Sequence, residues 1–129
     1  MAQPHATFGE VVAAGPLGVQ LSEGRSQTLV RERELQISRL VLPGGHILKP
    51  HRVSQHLVFQ CLEGQIVFET LGRKLTLNPG DLCHVGPDEE HAVLARTDSS
   101  ALLTLFGAHT PLSDSSDSPD LPDRTGDHP

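Results

Sequence analysis

The chain has 129 residues, which suits one domain with a substantial core. It carries 16 acidic and 10 basic residues and has no Trp and no Tyr. Nucleic-acid binding usually needs a positive field and stacking rings, so this composition disfavours it. No window reaches the roughly 18 consecutive apolar residues of a membrane span. The first residues also lack the basic start and apolar block of a signal peptide, so we expect a cytoplasmic protein.

The two ends of the chain differ from the part between them. Residues 1–20 are weakly patterned. Residues 113–129, SDSSDSPDLPDRTGDHP, hold five Asp, one Arg and almost no apolar side chains. Such a segment cannot bury enough surface to offset its ordering entropy, which predicts a disordered acidic tail. We therefore expect a single folded domain over residues 21–112.

Between these ends, short apolar runs alternate with turn signals. In the first run, GRSQTLVREREL, the β-branched residues favour a strand over a helical turn. The later runs are ELQISRLVL, HLVFQCL, QIVFET, KLTL, DLCHV, HAVLA and ALLTLF, and turns such as PGG, EG, LGR, NPGD and TDSS separate them. Short strands at such spacing predict an all-β sandwich or barrel rather than βαβ units.

The run HLVFQCL shows two different faces, because alternate side chains of a strand share one face. One face holds Leu57, Phe59 and Cys61 and suits the packed side of a sheet. The other face carries the polar groups of His56 and Gln60 among apolar ones. We interpret this mixed face as the lumen of a barrel that holds a polar ligand. A face half open to water is the alternative.

The two cysteines, Cys61 and Cys83, lie inside apolar runs and show no C-x-x-C spacing. Without a secretion signal, we expect two buried free thiols rather than a disulfide. We also expect Cys61 to be unreactive, because nothing near it in the sequence would lower its pKa.

Two segments resemble the two sequence motifs of small single-domain cupins. LPGGHILKPHRVSQHLVFQCLEGQIVFE is similar to the first motif, and LTLNPGDLCHVGPDEEHAV is similar to the second. The closing SSALLTLF also resembles the last strand of short bacterial cupins. The resemblance spans residues 28–106 and implies an RmlC-like jelly-roll barrel, also described as a double-stranded β-helix. It implies much less about activity, since cupins host many unrelated functions.

The resemblance also implies a metal site with a degenerate motif. Metal-binding cupins typically offer two His that flank one residue, then an acid or Gln, then a His in the second motif. In one register Lys49 and His51 take the first two places and His56 takes the place of the acid. In the other register His51 comes first and Val53 replaces the second His. His91 fits the second motif in both registers.

The resemblance therefore predicts a divalent transition metal (Zn, Fe, Ni, Mn or Cu) on His51, His56 and His91, because imidazole nitrogen suits such ions. An acid of the DEE sequence at 88–90 could orient His91 by accepting its second ring proton. Inward-pointing Lys49 would instead repel a cation. Further candidates for the pocket are Gln60, Lys49 and His46.

Three functions stay open at this point. The first is a metal-dependent cupin acting on a small polar or carboxylate-bearing ligand, with dioxygenase, isomerase or lyase chemistry implied by the resemblance. The second is a metal-free cupin that binds a small ligand as a sensor or carrier. The third is a structural dimerisation module. The resemblance also implies a homodimer, and the apolar segment FGEVVAAGPLGV is a candidate for covering a partner's sheet.

Overall fold

The computed structural model describes residues 5–108, which form one short 3-10 helix and nine β-strands. The helix is Gly18–Glu23, and the strands are β1 Gln27–Glu32, β2 Leu35–Leu42, β3 Ile47–His51, β4 His56–Glu63, β5 Ile66–Thr70, β6 Arg73–Leu77, β7 Leu82–Val85, β8 His91–Ala95 and β9 Ser99–Phe106. The predicted all-β class is confirmed, and each run named above coincides with a strand. Within residues 5–108, no helix has the length and apolar character to span a membrane.

The strands form two antiparallel sheets. The order is β1-β2-β9-β4-β7 in the five-stranded sheet and β3-β8-β5-β6 in the four-stranded sheet. Several strands that are consecutive in the chain lie in different sheets, so the chain crosses repeatedly between the two layers, as in a jelly roll. The inner faces enclose one core, in which Phe59 and Phe68 meet across the layers with ring centroids 5.0 Å apart.

Strand β4 has the two faces that the sequence predicts, but the mixed face points outward. Leu57, Phe59 and Cys61 are buried and belong to the core. The alternate side chains, including His56 and Gln60, are only partly buried on the outer face of the five-stranded sheet. The structure thus favours the alternative interpretation of a face half open to water over the barrel lumen.

Residues 6–24 cross the outer face of the five-stranded sheet. The backbone N–H of Ala6 donates to the carbonyl oxygen of Leu29 in β1, at 2.9 Å. Further along, the Arg39 guanidinium of β2 donates to the carbonyl oxygen of Ala13 at 2.8 Å. Hydrogen bonds thus hold this segment against the sheet. Its exposed apolar side chains are Phe8, Val11 and Val19.

Glu63, at the end of β4, holds the same segment at a further point. Its carboxylate accepts hydrogen bonds from the backbone N–H groups of Leu17 (2.8 Å) and Gly18 (3.0 Å) and from the Ser100 hydroxyl. Burial acts to raise the pKa of Glu63, but these bonds and the charge of Arg39 outweigh it and lower the pKa. Glu63 is therefore an ionised anchor at neutral pH.

Both cysteines are free thiols, as predicted. Cys61 is fully buried in the core, and burial is the main cause that raises its pKa. Cys83 is half-buried rather than buried, and burial raises its pKa as well. The predicted tail, residues 113–129, lies outside the described residues. The boundaries at residues 20 and 112 stay predictions.

Candidate metal and ligand site

The structure brings together two of the three histidines that the sequence singles out. His51 and His91 are opposite each other in the pairing of β3 with β8, and their ring centroids lie 4.4 Å apart at 61°. His91 faces inward with Val93 and Ala95 and is only 3% exposed. His51 is half-buried, at the end of its strand. The first and second motifs therefore meet at this pair.

Backbone carbonyls fix the tautomer of both rings. The Nδ1 atom of His51 lies 2.9 Å from the carbonyl oxygen of Lys49, and Nδ1 of His91 lies 3.1 Å from that of Glu89. A carbonyl oxygen only accepts hydrogen bonds, so each Nδ1 must donate its N–H. In a neutral imidazole the other nitrogen, Nε2, then keeps a free lone pair. The pair thus offers two acceptor nitrogens.

The partner of His91 Nδ1 is the backbone of the DEE sequence rather than one of its carboxylates. It is the carbonyl oxygen of Glu89 that meets the ring. The Glu89 carboxylate instead accepts the backbone N–H of Gly86 at 2.8 Å, which closes the turn before β8. A backbone carbonyl therefore orients His91, and the Glu89 side chain contributes only by closing the turn.

The surroundings of His91 are apolar. Its ring stacks on the buried Phe68, with centroids 5.9 Å apart and planes at 6°. Burial first, and then the nearby His51, lower the pKa of His91 to about 4, against the opposing hydrogen bond with Glu89. His91 is therefore a neutral imidazole at neutral pH, which is the form that can bind a metal ion or accept a hydrogen bond.

Phe68 and Thr70 lie beside His91 on the neighbouring strand β5. Neither residue was identified from the sequence as part of the site. Thr70 is buried opposite His91 in the pairing of β5 with β8, and its hydroxyl donates to the carbonyl oxygen of Glu90 at 2.9 Å. Together with Ile66, both residues occupy the alternate positions of the run QIVFET that are buried. Alternation within that run is the signal that could have identified them.

His56 lies on a different surface from the pair. It is on the outer face of the five-stranded sheet, where its Nδ1 lies 3.1 Å from Nε2 of His84. Within the described residues, no group of three or more His, Cys, Asp or Glu side chains is arranged to hold a metal ion. His51 and His91 therefore stand as a pair of nitrogen donors without His56.

The three additional pocket candidates do not form one group around the pair. Gln60 is on the outer face with His56, and its amide donates to the carbonyl oxygen of Gly80 at 3.2 Å. The Lys49 side chain is exposed, so its ammonium group does not occupy the core beside the pair. His46 is half-buried in the turn before β3.

Comparisons with known proteins establish the family. Residues 38–107 match the cupin domain family, and this chain belongs to it. A search of curated proteins finds no match. The fold is similar to an RmlC-like cupin from Shewanella frigidimarina, with TM-score 0.64, 23% identity and coverage of 82% of this chain and 93% of that one.

Two further solved structures share the fold. A cupin superfamily protein from Desulfitobacterium hafniense has TM-score 0.65 and 21% identity, with coverage of 78% of this chain and 98% of that one. A predicted oxalate decarboxylase from Thermotoga maritima has TM-score 0.59 and 21% identity, with coverage of 63% and 77%. The predicted cupin-type jelly roll is thereby confirmed.

Proposed function

We propose that this cupin binds a divalent transition metal through His51 and His91, next to a small polar or carboxylate-bearing ligand. The observation that supports this most strongly is the pair of carbonyl-bonded Nδ1 atoms, which leaves both Nε2 lone pairs free. Metal-binding histidines usually have their second nitrogen fixed in this way. Zn, Fe, Ni, Mn and Cu are the candidates, and ions that accept imidazole fit this donor set best.

A bound ion would act as a Lewis acid that polarises an oxygen of the ligand. The protein would contribute an apolar surface, formed by Phe68 and the inward face of β8. It would also fix the orientation of the two imidazole rings. The name of the predicted oxalate decarboxylase supports a carboxylate as the ligand class. Dioxygenase, isomerase and lyase chemistry remain alternatives at such a site.

A metal-free cupin that binds a small ligand is the second candidate. The supporting observation is that, among the described residues, no third His, Cys, Asp or Glu joins the pair to form a metal-binding group. In that case the two Nε2 atoms accept hydrogen bonds from the hydroxyl or acid protons of a ligand. A homodimer, a cytoplasmic location and the role of a structural dimerisation module stay predictions. The exposed Phe8, Val11 and Val19 supply apolar surface for a dimer.

Metal analysis of protein purified without a nickel column tests the first proposal. We expect His51→Ala and His91→Ala each to lose one equivalent of bound metal relative to the unsubstituted chain. His5→Ala is the matched control, because His5 is an exposed histidine far from β3 and β8 in the chain, and it should retain the metal. Unchanged metal content in both site variants would contradict metal binding at this pair.

If no metal is bound, a thermal-shift screen with small carboxylic acids tests the metal-free alternative. A ligand that binds only the native state raises the melting temperature. The shift should disappear in His51→Ala and persist in His5→Ala. A screen in which no acid shifts either chain would leave the dimerisation module as the surviving function.

A further inference from the structure

A second pair of histidines lies on the outer face of the five-stranded sheet. Nδ1 of His56 and Nε2 of His84 are 3.1 Å apart, and the two rings stack with centroids 5.3 Å apart at 22°. The strand register produces this contact, because His84 is opposite Val58 and therefore diagonal to His56. Diagonal neighbours on one face are within reach of long side chains. The pair has no part in the barrel site described above.

The ring of His56 contacts a ring on each of the two neighbouring strands. Phe106 of β9 is opposite His56 in the sheet and stacks on its ring, with centroids 4.9 Å apart and planes at 12°. His84, on the neighbouring strand β7, contacts the same ring at Nδ1. Strand β4 is hydrogen-bonded to both β9 and β7, so the backbones that carry the three rings are fixed. A pair held in this way loses little rotamer entropy when it binds a ligand.

The sheet positions that border this pair carry no charged side chain. The positions that border it on the same face are Val58, Thr104, Gln60 and Leu82, as the pairings of β4 with β7 and β9 place them. No Lys or Arg at these positions would repel a cation. The whole chain has a net charge of −6, which favours the approach of cations at long range. His84 is exposed, and β7 is an edge strand, so solvent ions can reach the pair.

We propose that His56 and His84 form a two-histidine clamp for a late first-row divalent ion, such as Zn²⁺, on the outside of the barrel. Two nitrogen ligands of one ion with bonds of 2.0–2.1 Å lie about 2.9–3.4 Å apart, depending on the angle between them. The separation of 3.1 Å between Nδ1 of His56 and Nε2 of His84 falls within that range. Water fills the remaining coordination positions.

The shared proton does not prevent binding. In the hydrogen-bonded pair, one of the two facing nitrogens carries an N–H and the other a lone pair. When the ion enters, the ring with the facing N–H moves that proton to its other nitrogen through solvent. Both rings stay neutral, no net proton is released, and both facing lone pairs are then donated to the metal.

Four untagged full-length chains test the clamp by zinc titration calorimetry: the unsubstituted chain, His84→Ala, His51→Ala and the double variant. If both sites exist, we expect the unsubstituted chain to bind two equivalents of Zn²⁺, each single variant to bind one, and the double variant to bind none. If the barrel pair binds no metal, the unsubstituted chain and His51→Ala should each bind one equivalent, and the two chains that carry His84→Ala should bind none. The two proposals therefore fail in different ways. Circular dichroism confirms folding, and His84 is an exposed position where Ala should be tolerated.

Spectroscopic assignment completes the test in the His51→Ala chain. Zinc should shift the imidazole NMR signals of His56 and His84 and leave those of His5 unchanged. Phe106→Leu, which removes the stacking ring but no ligand, should weaken zinc binding while retaining the stoichiometry. Equal zinc binding by His51→Ala and the double variant, or imidazole shifts confined to other histidines, would overturn the proposal.

Discussion

The behaviour of each histidine pair in this fold depends on what its ring nitrogens meet. In His51 and His91 the Nδ1 atom donates to a backbone carbonyl, so the lone pair of the neutral ring is on Nε2. In His56 it meets a second imidazole, so the two rings share one proton. The first arrangement fixes a tautomer and the second leaves two tautomers accessible. One residue type therefore provides both a rigid acceptor site and an adaptable one.

The burial of His91 makes the stability of the protein depend on pH. Its pKa is about 4 in the folded chain and 6.5 when unfolded, so the unfolded state binds the proton first as pH falls. The free energy of unfolding should therefore drop by about 1.4 kcal/mol per pH unit between pH 6.5 and 4, about 3 kcal/mol in all. Urea denaturation of chelator-treated protein at a series of pH values measures this slope, because a bound metal ion would add its own pH dependence.

The control for this prediction is His91→Phe, which keeps a ring against Phe68 but cannot take up a proton. Between pH 6.5 and 4, the free energy of unfolding of this variant should change by about 3 kcal/mol less than that of the unsubstituted chain. If the variant and the unsubstituted chain show the same dependence between pH 4 and 6.5, another group is responsible for it.

The sequence predicted the His51–His91 contact and could not predict the His56–His84 contact. Both members of the first pair lie in recognisable motifs, and the cupin resemblance brings the motifs together. The second contact depends on the register between β4 and β7, which places His84 opposite Val58. These strands are separated in the chain by a hairpin of the other sheet, so no local pattern specifies which of their residues align.

At the scale of elements, an irregularity in β4 explains why Glu63 reaches the N-terminal segment. The pairing with β9 shifts between Cys61 and Glu63, so that Glu63 is opposite Ser100. A bulge of this kind inserts one residue and redirects the side chains that follow it. Cys61 therefore faces the core, whereas Glu63 points outward to the segment at Leu17.

Glu63→Gln should loosen the N-terminal segment without unfolding the barrel. The amide side chain lacks the charge that strengthens the bonds from Leu17 and Gly18, and bonds to charged groups are worth about 1.5–3 kcal/mol. We expect amide hydrogen exchange at these two residues to accelerate about tenfold or more, since tenfold corresponds to about 1.4 kcal/mol. Exchange in β4 and β9 should stay unchanged.

Glu69→Gln is the matched control, because Glu69 is an exposed glutamate on β5 opposite Lys74. It removes the same charge from the chain and should leave exchange at Leu17 and Gly18 unaltered. Acidification should reproduce the Glu63→Gln effect only below the lowered pKa of Glu63, where its carboxylate takes up a proton. Equal acceleration in both variants would point to net charge instead of the anchor.

The positions of most strands were readable from the sequence, but β3 and the orientation of β4 were not. Strand β3 contains Pro50 and follows the PGG turn, which resembles a loop. In β4 the period-2 pattern separates two faces correctly. It does not say which one is inside, because His56 and Gln60 could equally line a polar lumen. Only the packing of Phe59 on Phe68 from the opposite sheet decides between them.

At the scale of the whole molecule, the two sheets share one core and should unfold together. The buried cluster draws residues from both layers, among them Leu40 and Leu103 from the five-stranded sheet and Ile66 and Val93 from the four-stranded sheet. A small domain built in this way is expected to unfold in a single cooperative transition.

Phe59→Ala tests this coupling, because Phe59 is a buried ring of one sheet that packs on Phe68 of the other. We expect a loss of about 3–5 kcal/mol in the free energy of unfolding, typical of a truncated core aromatic. Native-state hydrogen exchange should show equal loss of protection in β4 and in β5. Phe106→Ala, at a ring that is 40% exposed, is the control and should cost about 1 kcal/mol or less. Loss of protection confined to β4 would mean that the sheets unfold as separate units.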